Sequence, residues 1–192
     1  MPRIDNLDAM EKIIERYVGG EAAAKIMAGS NTIRKSTSPE KAAEWMKAAV
    51  DRMDDLLDED VRRRIMAELG YNCAEANSRV IKAAVGRRNK YGSLEEFVEA
   101  EVRKPQKGTR LERDEGRLIH VYTPKSWTRP MRCYCGFINK LPEGVYASPT
   151  YCGCGRGFVE RYWEAVAGRP VKVELLGSCI SGAEECRFTV SL

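Results

Sequence analysis

"GFVERYWEAVAGRPVKVELLGSCISGAEECRFTV", residues 157–190, decides the architecture. Its first third, "GFVERYWEAVAG", reads as a helix closed by Gly168. "RPVKVELLGS" (169–178) then alternates Val171, Val173 and Leu175, and "EECRFTVSL" (184–192) alternates Cys186, Phe188 and Val190. A period of two marks half-buried strands, and the short Gly182-containing connection makes them a hairpin. Upstream, "TRLERDEGRLIHVYT" (109–123) has the same grammar. It is a second hairpin, turning near Glu115–Gly116, with Leu118, His120 and Tyr122 on one face.

The first hundred residues change period. "NLDAMEKIIERYVGG" (6–20) sets Leu7, Met10, Ile13, Ile14 and Tyr17 on one helical face and ends at Gly19–Gly20. "EAAAKIMAG" is a short alanine-rich helix. "SPEKAAEWMKAAVDRMDDLLDE" starts on Ser38 as N-cap with Pro39 in the first turn, and carries a stripe of Ala42, Trp45, Met46, Ala49, Met53 and Leu56. "DEDVRRRIMAELG" is a helix stopped at Gly70, "NCAEANSRVIKAAVG" one stopped at Gly86, and "SLEEFVEAEVRK" one opened by a capping box, Ser93 with Glu96. Helices followed by paired strands give an α+β fold: an N-terminal helical bundle packed with a C-terminal antiparallel sheet that carries one main helix. The expected division is a helical region, 1–104, and a cysteine-rich α+β region, 109–192, joined by "KPQKGT" into one compact unit.

Composition limits the function. The apolar and charged fractions, 43% and 31%, are those of a globular protein. "MPRIDNLDAM" is no secretory signal, and no apolar run reaches membrane-helix length, so a cytoplasmic address is expected. The first 105 residues balance 19 basic against 19 acidic side chains, which leaves the net charge of +4 to the cysteine-rich half. Four charges are too few for a nucleic-acid footprint, and Arg87-Arg88-Asn89-Lys90 reads as a solvated helix end.

Of seven cysteines, six follow residue 132. Four of these make two copies of Cys-x-Cys-Gly: Cys133 and Cys135 before Gly136, and Cys152 and Cys154 before Gly155. In a reducing compartment such cysteines serve metal or redox chemistry more than disulfides. Thiolates are soft donors that suit zinc, and iron–sulfur less well here. The candidate ligands are Cys133, Cys135, Cys152, Cys154, Cys179 and Cys186, of which one zinc takes four. On a straight strand both thiols of a pair would share one face; in a tight loop, glycine would let backbone N–H groups aim at sulfur. Arg132, Arg156 and Arg187 stand near enough in sequence to offset thiolate charge. Cys73, alone on a helix, reads as a small buried hydrophobe.

His120 is the single histidine and sits on an apolar strand face, the position of a satisfied core residue. Any hydrolytic base would have to be His120, a carboxylate or metal-bound water. "GRGF" is too short for a phosphate loop. His120, Tyr162 and Trp163 are the residues that would border a ligand pocket.

The ending, with Gly168, Val171, Val173, Glu174, Cys179, Gly182, Cys186 and Phe188, resembles the 4-vinyl reductase (hydrocarbon-binding) domain. It is also similar to L-2-amino-thiazoline-4-carboxylic acid hydrolase-like proteins. The resemblance covers roughly residues 110–192. It implies helices on an antiparallel sheet, binding of small and often apolar ligands, and, as in sensor members, zinc held by three cysteines and a carboxylate. Here those cysteines map to Cys152 or Cys154, Cys179 and Cys186, with Cys133 or Cys135 in the carboxylate's place. The doubled Cys-x-Cys departs from that pattern.

Three functions follow as expectations. The first is a small-molecule binding or sensing domain with a cysteine-held zinc. The second is a hydrolase opening a small C–N-containing ring, which requires an open metal position or a thiol of depressed pKa. The third is a zinc-stapled interaction module, which requires an exposed apolar patch on the helical half. A signal would pass to a second copy of the chain or to another protein; neither nucleic acid nor membrane is expected as partner.

Overall fold

The computed structural model describes residues 5–114, 116–123, 133, 135 and 137–192 of the 192-residue chain. Among the described residues six α-helices and four strands follow one another as α1 (Asp5–Ile26), α2 (Pro39–Leu56), α3 (Glu59–Ala76), α4 (Ser78–Arg88), α5 (Leu94–Arg103), β1 (Thr109–Asp114), β2 (Arg117–Tyr122), α6 (Cys152–Ala167), β3 (Lys172–Gly177) and β4 (Cys186–Ser191). The fold is α+β, with helices first and a four-stranded antiparallel sheet after them, in the order β1-β2-β4-β3.

Local chemistry places several of the helix ends. The Ser38 hydroxyl accepts the Lys41 N–H at 3.3 Å, Asp58 accepts the Val61 N–H at 2.9 Å and Ser93 accepts the Glu96 N–H at 3.1 Å. The Glu96 carboxylate reaches back to the N–H of Gly92 at 2.9 Å, one residue before the cap. Gly19, with φ of 78°, interrupts α1 where the sequence ends its first helix. Gly168, with φ of 69°, closes α6. Gly116, at φ 79°, turns the first hairpin, while Glu115 lies outside the described residues.

Gly70 and Gly86 end nothing. Helix α3 runs through Gly70 to Ala76, and α4 runs through Gly86 to Arg88. The two helices part at Asn77, whose side-chain amide donates to the Cys73 carbonyl at 2.8 Å. Gly70 is a contact point. A Cβ built there would lie 2.2 Å from the Cys154 carbonyl oxygen and 2.9 Å from the Gly157 Cα. On the facing helix, a Cβ on Gly157 would lie 2.2 Å from the Ala67 carbonyl oxygen, and one on Gly153 2.8 Å from the Met66 Cβ. Helices α3 and α6 therefore cross with backbones nearly touching.

Two cores flank this crossing. Leu7, Ile14, Ile26, Val50, Met53 and Ile65 from α1–α3 fill the first, closed by Ile138, Leu141, Tyr151 and Ile180 from the later chain. Phe97 and Val98 of α5 join Trp163 of α6 and Leu118, Phe188 and Val190 of the sheet in the second. Each core thus draws on both sides of the 104–109 loop. Two members of the expected helical stripes face water instead: Tyr17 and Leu56 are exposed.

The sheet's far face is closed by charge. Ile119 and Val121 are fully buried there, and their cross-strand neighbours are Glu112 and Thr189, and Arg110 and Arg187. Arg110 pairs with Glu112 at 2.7 Å and Glu185 at 2.5 Å, and Arg187 with Glu112 at 2.5 Å. The long side chains cover apolar surface with their stems while their heads neutralise one another.

Candidate functional site

All seven cysteines are free thiols. The six late ones lie about the start of α6 and the β3–β4 connection: Cys152 and Cys154 are in the helix, Cys135 contacts Tyr151 and is hydrogen-bonded to Cys133, and Cys179 and Cys186 flank the connection. Cys152 and Cys154 do not precede the helix as the sequence suggests; they are in its first turn. This changes the geometry of the pair. Two residues apart on a strand share a face, but on an α-helix they stand roughly 200° apart and point opposite ways.

Cys152 turns toward the β3–β4 connection. It is buried, and its thiol donates to the Ser178 hydroxyl at 2.9 Å. Cys179 and Cys186 meet at the same place: the Cys186 sulfur accepts the Cys179 N–H at 3.4 Å, while the Cys179 thiol donates to the Glu184 carbonyl at 3.3 Å. The neighbouring Cys179 holds the Cys186 pKa down to about 7, and the Cys186 sulfur, with burial, pushes that of Cys179 up. The Cys133 sulfur accepts the Cys135 N–H at 3.4 Å. Burial, then the charges of Cys135, Cys152 and Cys186, raise the Cys133 pKa. Burial holds Cys152 at about 11 against the lowering bond from Ser178. Cys152 thus reaches the head of the β3–β4 connection through Ser178, where Cys179 and Cys186 are joined by a hydrogen bond, and Cys133 feels the charges of Cys135, Cys152 and Cys186 in that order.

Cys154 and Cys135 face the other way. The Cys135 sulfur and the Tyr151 hydroxyl lie 2.8 Å apart. Burial, then the charges of Cys135, Cys73, Cys133 and Cys152, raise the Cys154 pKa. Cys73 on α3, which the sequence alone leaves as an isolated helical residue, belongs to this second set. Burial and then Cys135 raise its pKa too. The three thiols line a pocket of about 90 Å³ together with Met10, Met46 and Met66. Among its described lining residues none is charged.

His120, Tyr162 and Trp163 are elsewhere, on the α6 face of the sheet, and do not line this pocket. His120 Nδ1 accepts the Trp163 indole N–H at 3.0 Å inside a ring of Tyr122, Tyr162 and Trp163. Burial lowers its pKa to about 4, so the imidazole is neutral at pH 7. Its Nε2 has no hydrogen-bond partner among the described residues. It is a core histidine, half satisfied.

The glycines and arginines near the cysteines have other work. Gly153 and Gly157 serve the α3 crossing, and a Cβ on Gly155 would press Phe188 at 3.3 Å. None of the three has a positive φ. Arg156 pairs with Glu160 at 3.4 Å, and Arg187 belongs to the sheet network, so both charges are answered by carboxylates. Arg132 and Gly136 lie outside the described residues. Four thiols would suit a structural zinc, but among the described residues no three His, Cys, Asp or Glu groups come together to hold an ion.

The arrangement defines a cysteine-clustered α+β domain. The chain matches a family of unknown function, DUF6144, over residues 3–192, and belongs to it. No curated protein matches it. Among the described residues no helix is long and apolar enough to cross a membrane.

Proposed function

We propose that the protein is a small-molecule binding or sensing domain built around a cysteine-held zinc, with a second copy or another protein receiving the signal. The observation that carries this reading is the meeting of Cys152, Cys179 and Cys186 about Ser178 and the β3–β4 connection, with an uncharged pocket walled by Cys73, Cys135 and Cys154 on the other side of α6. With Cys133, the four sulfurs come from three chain segments distant in sequence. An ion drawing them together would tie the sheet hairpin to the start of α6 and to the 133–135 segment. Thiolates bound to zinc need no proton, so the ion would offset the burial that raises the pKa values of Cys133 and Cys152.

One observation favours a second reading. The hydrolase alternative asks for a thiol of depressed pKa, and Cys186 is one. As a nucleophile, however, it would act away from the uncharged pocket, which Cys186 does not line. An interaction module has less support. The exposed large apolar residues of the helical half, Tyr17, Leu56, Val80 and Tyr91, are spread over α1, α2, α4 and the loop after it.

The test is metal content of anaerobically purified protein, with thiol titration before and after chelation. The expected result is one zinc per chain and four thiols released in step with it, mapped by alkylation to Cys133, Cys152, Cys179 and Cys186. Protein without metal, with Cys186 alone alkylated rapidly at neutral pH, would transfer the argument to thiol chemistry.

A further inference from the structure

Cys179 and Cys186 stand at the open end of a hairpin. Gly177 and Arg187 are the last cross-strand pair of β3 and β4. One step further the chain carries Cys186 on one side and Ser178–Cys179 on the other. Cys179 opens a short 3₁₀ turn, Cys179–Ser181, and Cys186 opens β4. The connection between them holds its own shape. The Ser181 and Ala183 N–H groups both donate to the Ser178 carbonyl, at 3.2 and 3.0 Å, and the Gly182 N–H donates to the Cys179 carbonyl at 3.3 Å. Its tip, residues 181–184, is exposed, and the two cysteines beside it are half-buried, while Cys152 behind them is closed off from water. A molecule arriving from solvent can therefore reach the pair.

The two sulfurs are not equivalent. The Cys186 sulfur accepts the Cys179 N–H at 3.4 Å, and a hydrogen bond to sulfur favours the thiolate, which is the nucleophilic form. The Cys179 thiol is a donor, to the Glu184 carbonyl at 3.3 Å, and so keeps its proton. The amide that serves Cys186 is Cys179's own, so the attacking sulfur lies against the residue that carries the second one.

We propose that Cys179 and Cys186 are a thiol–disulfide exchange site that reduces small disulfides, with Cys186 attacking and Cys179 resolving. The Cys186 thiolate attacks one sulfur of a disulfide R–S–S–R, breaks its S–S bond and releases R–S⁻, leaving R–S–S–Cys186. Cys179 then gives up its proton to a released thiolate, attacks the Cys186 sulfur and expels the second R–S⁻. The products are a Cys179–Cys186 disulfide, one R–SH and one R–S⁻, so two electrons have passed from the pair to the substrate. The site rests on neither the zinc reading nor the pocket. An ion on the same sulfurs would mask it, and chelation would uncover it.

The probe is bis(2-hydroxyethyl) disulfide, small and uncharged. It is added to the reduced full chain in a thiol-free chelator, native and in concentrated urea, and the products are followed by intact mass and peptide mapping. The native chain is expected to lose the mass of two hydrogen atoms, with the new bond mapped between Cys179 and Cys186. That bond should close about tenfold faster than in urea, because the fold already holds the two residues together. Cys179→Ser should stop at the mixed disulfide on Cys186, and Cys186→Ser should react about tenfold more slowly at Cys179. A wild type that keeps the mixed disulfide, closes its bond through another cysteine, or closes no faster folded than unfolded overturns the site, whether or not either variant folds. Reaction of Cys186→Ser at Cys179 at the wild-type rate overturns the order of attack. Zinc counted in the chelator is a separate readout, so failure of the metal reading and failure of this site are told apart.

Discussion

His120 shows what a buried imidazole does to acid stability. Its folded pKa, about 4, lies below the ordinary 6.5, so the unfolded chain takes the proton first. The stabilisation is complete above about pH 6.5 and drains away as pH falls toward 4, an amount of about 3 kcal/mol. His120→Asn keeps an acceptor for the Trp163 N–H and has no such titration. Urea unfolding at pH 7 and pH 4.5 should therefore show a smaller acid loss in the variant, by about 2 kcal/mol; equal losses would mean that the imidazole is charged in its ring of aromatics. That His120 is a core residue was legible from its place in an alternating strand. Its indole partner was not, because Trp163 comes from a helix 43 residues later.

At the scale of elements, two glycines with the same sequence signal part company. Ala is favoured over Gly inside a helix by about 1 kcal/mol. At Gly86, in α4, nothing lies within 4 Å of an added Cβ, so Gly86→Ala should stabilise by up to about that amount. At Gly70 the added carbon meets backbone at 2.2 Å, and neither helix can yield without losing the crossing. Gly70→Ala and Gly157→Ala should each cost about 3 kcal/mol or more, read as a shift in denaturant midpoint. Periodicity and caps made the helices, strands and hairpins readable. A glycine that permits close approach reads like a glycine that stops a helix, since only the partner's distance separates them. The cysteine pair failed for a related reason. Whether Cys152 and Cys154 share a face depends on whether the local period is two or 3.6, and "CGCGRG" has too few apolar side chains to declare it.

For the whole molecule, the proposed ion joins parts that the cores hold less directly. The β3–β4 connection reaches the first core through Ile180, and the bonds of Ser178 with Cys152 and Ser181 tie it locally. Chelation should therefore lower the guanidinium midpoint of the wild type markedly, while Cys179→Ser should start low and not respond. Equal midpoints with and without chelator would leave the hairpin held by packing alone. The α3–α6 crossing carries a further consequence, for tracing ancestry. Thiols can be exchanged for other donors or lost when a lineage changes its chemistry, but a contact between two backbones admits no substitute for a missing side chain. Glycine at positions 70 and 157 is thus the better anchor for aligning distant relatives, and a chain that keeps both while lacking the cysteines would still be recognisable as kin.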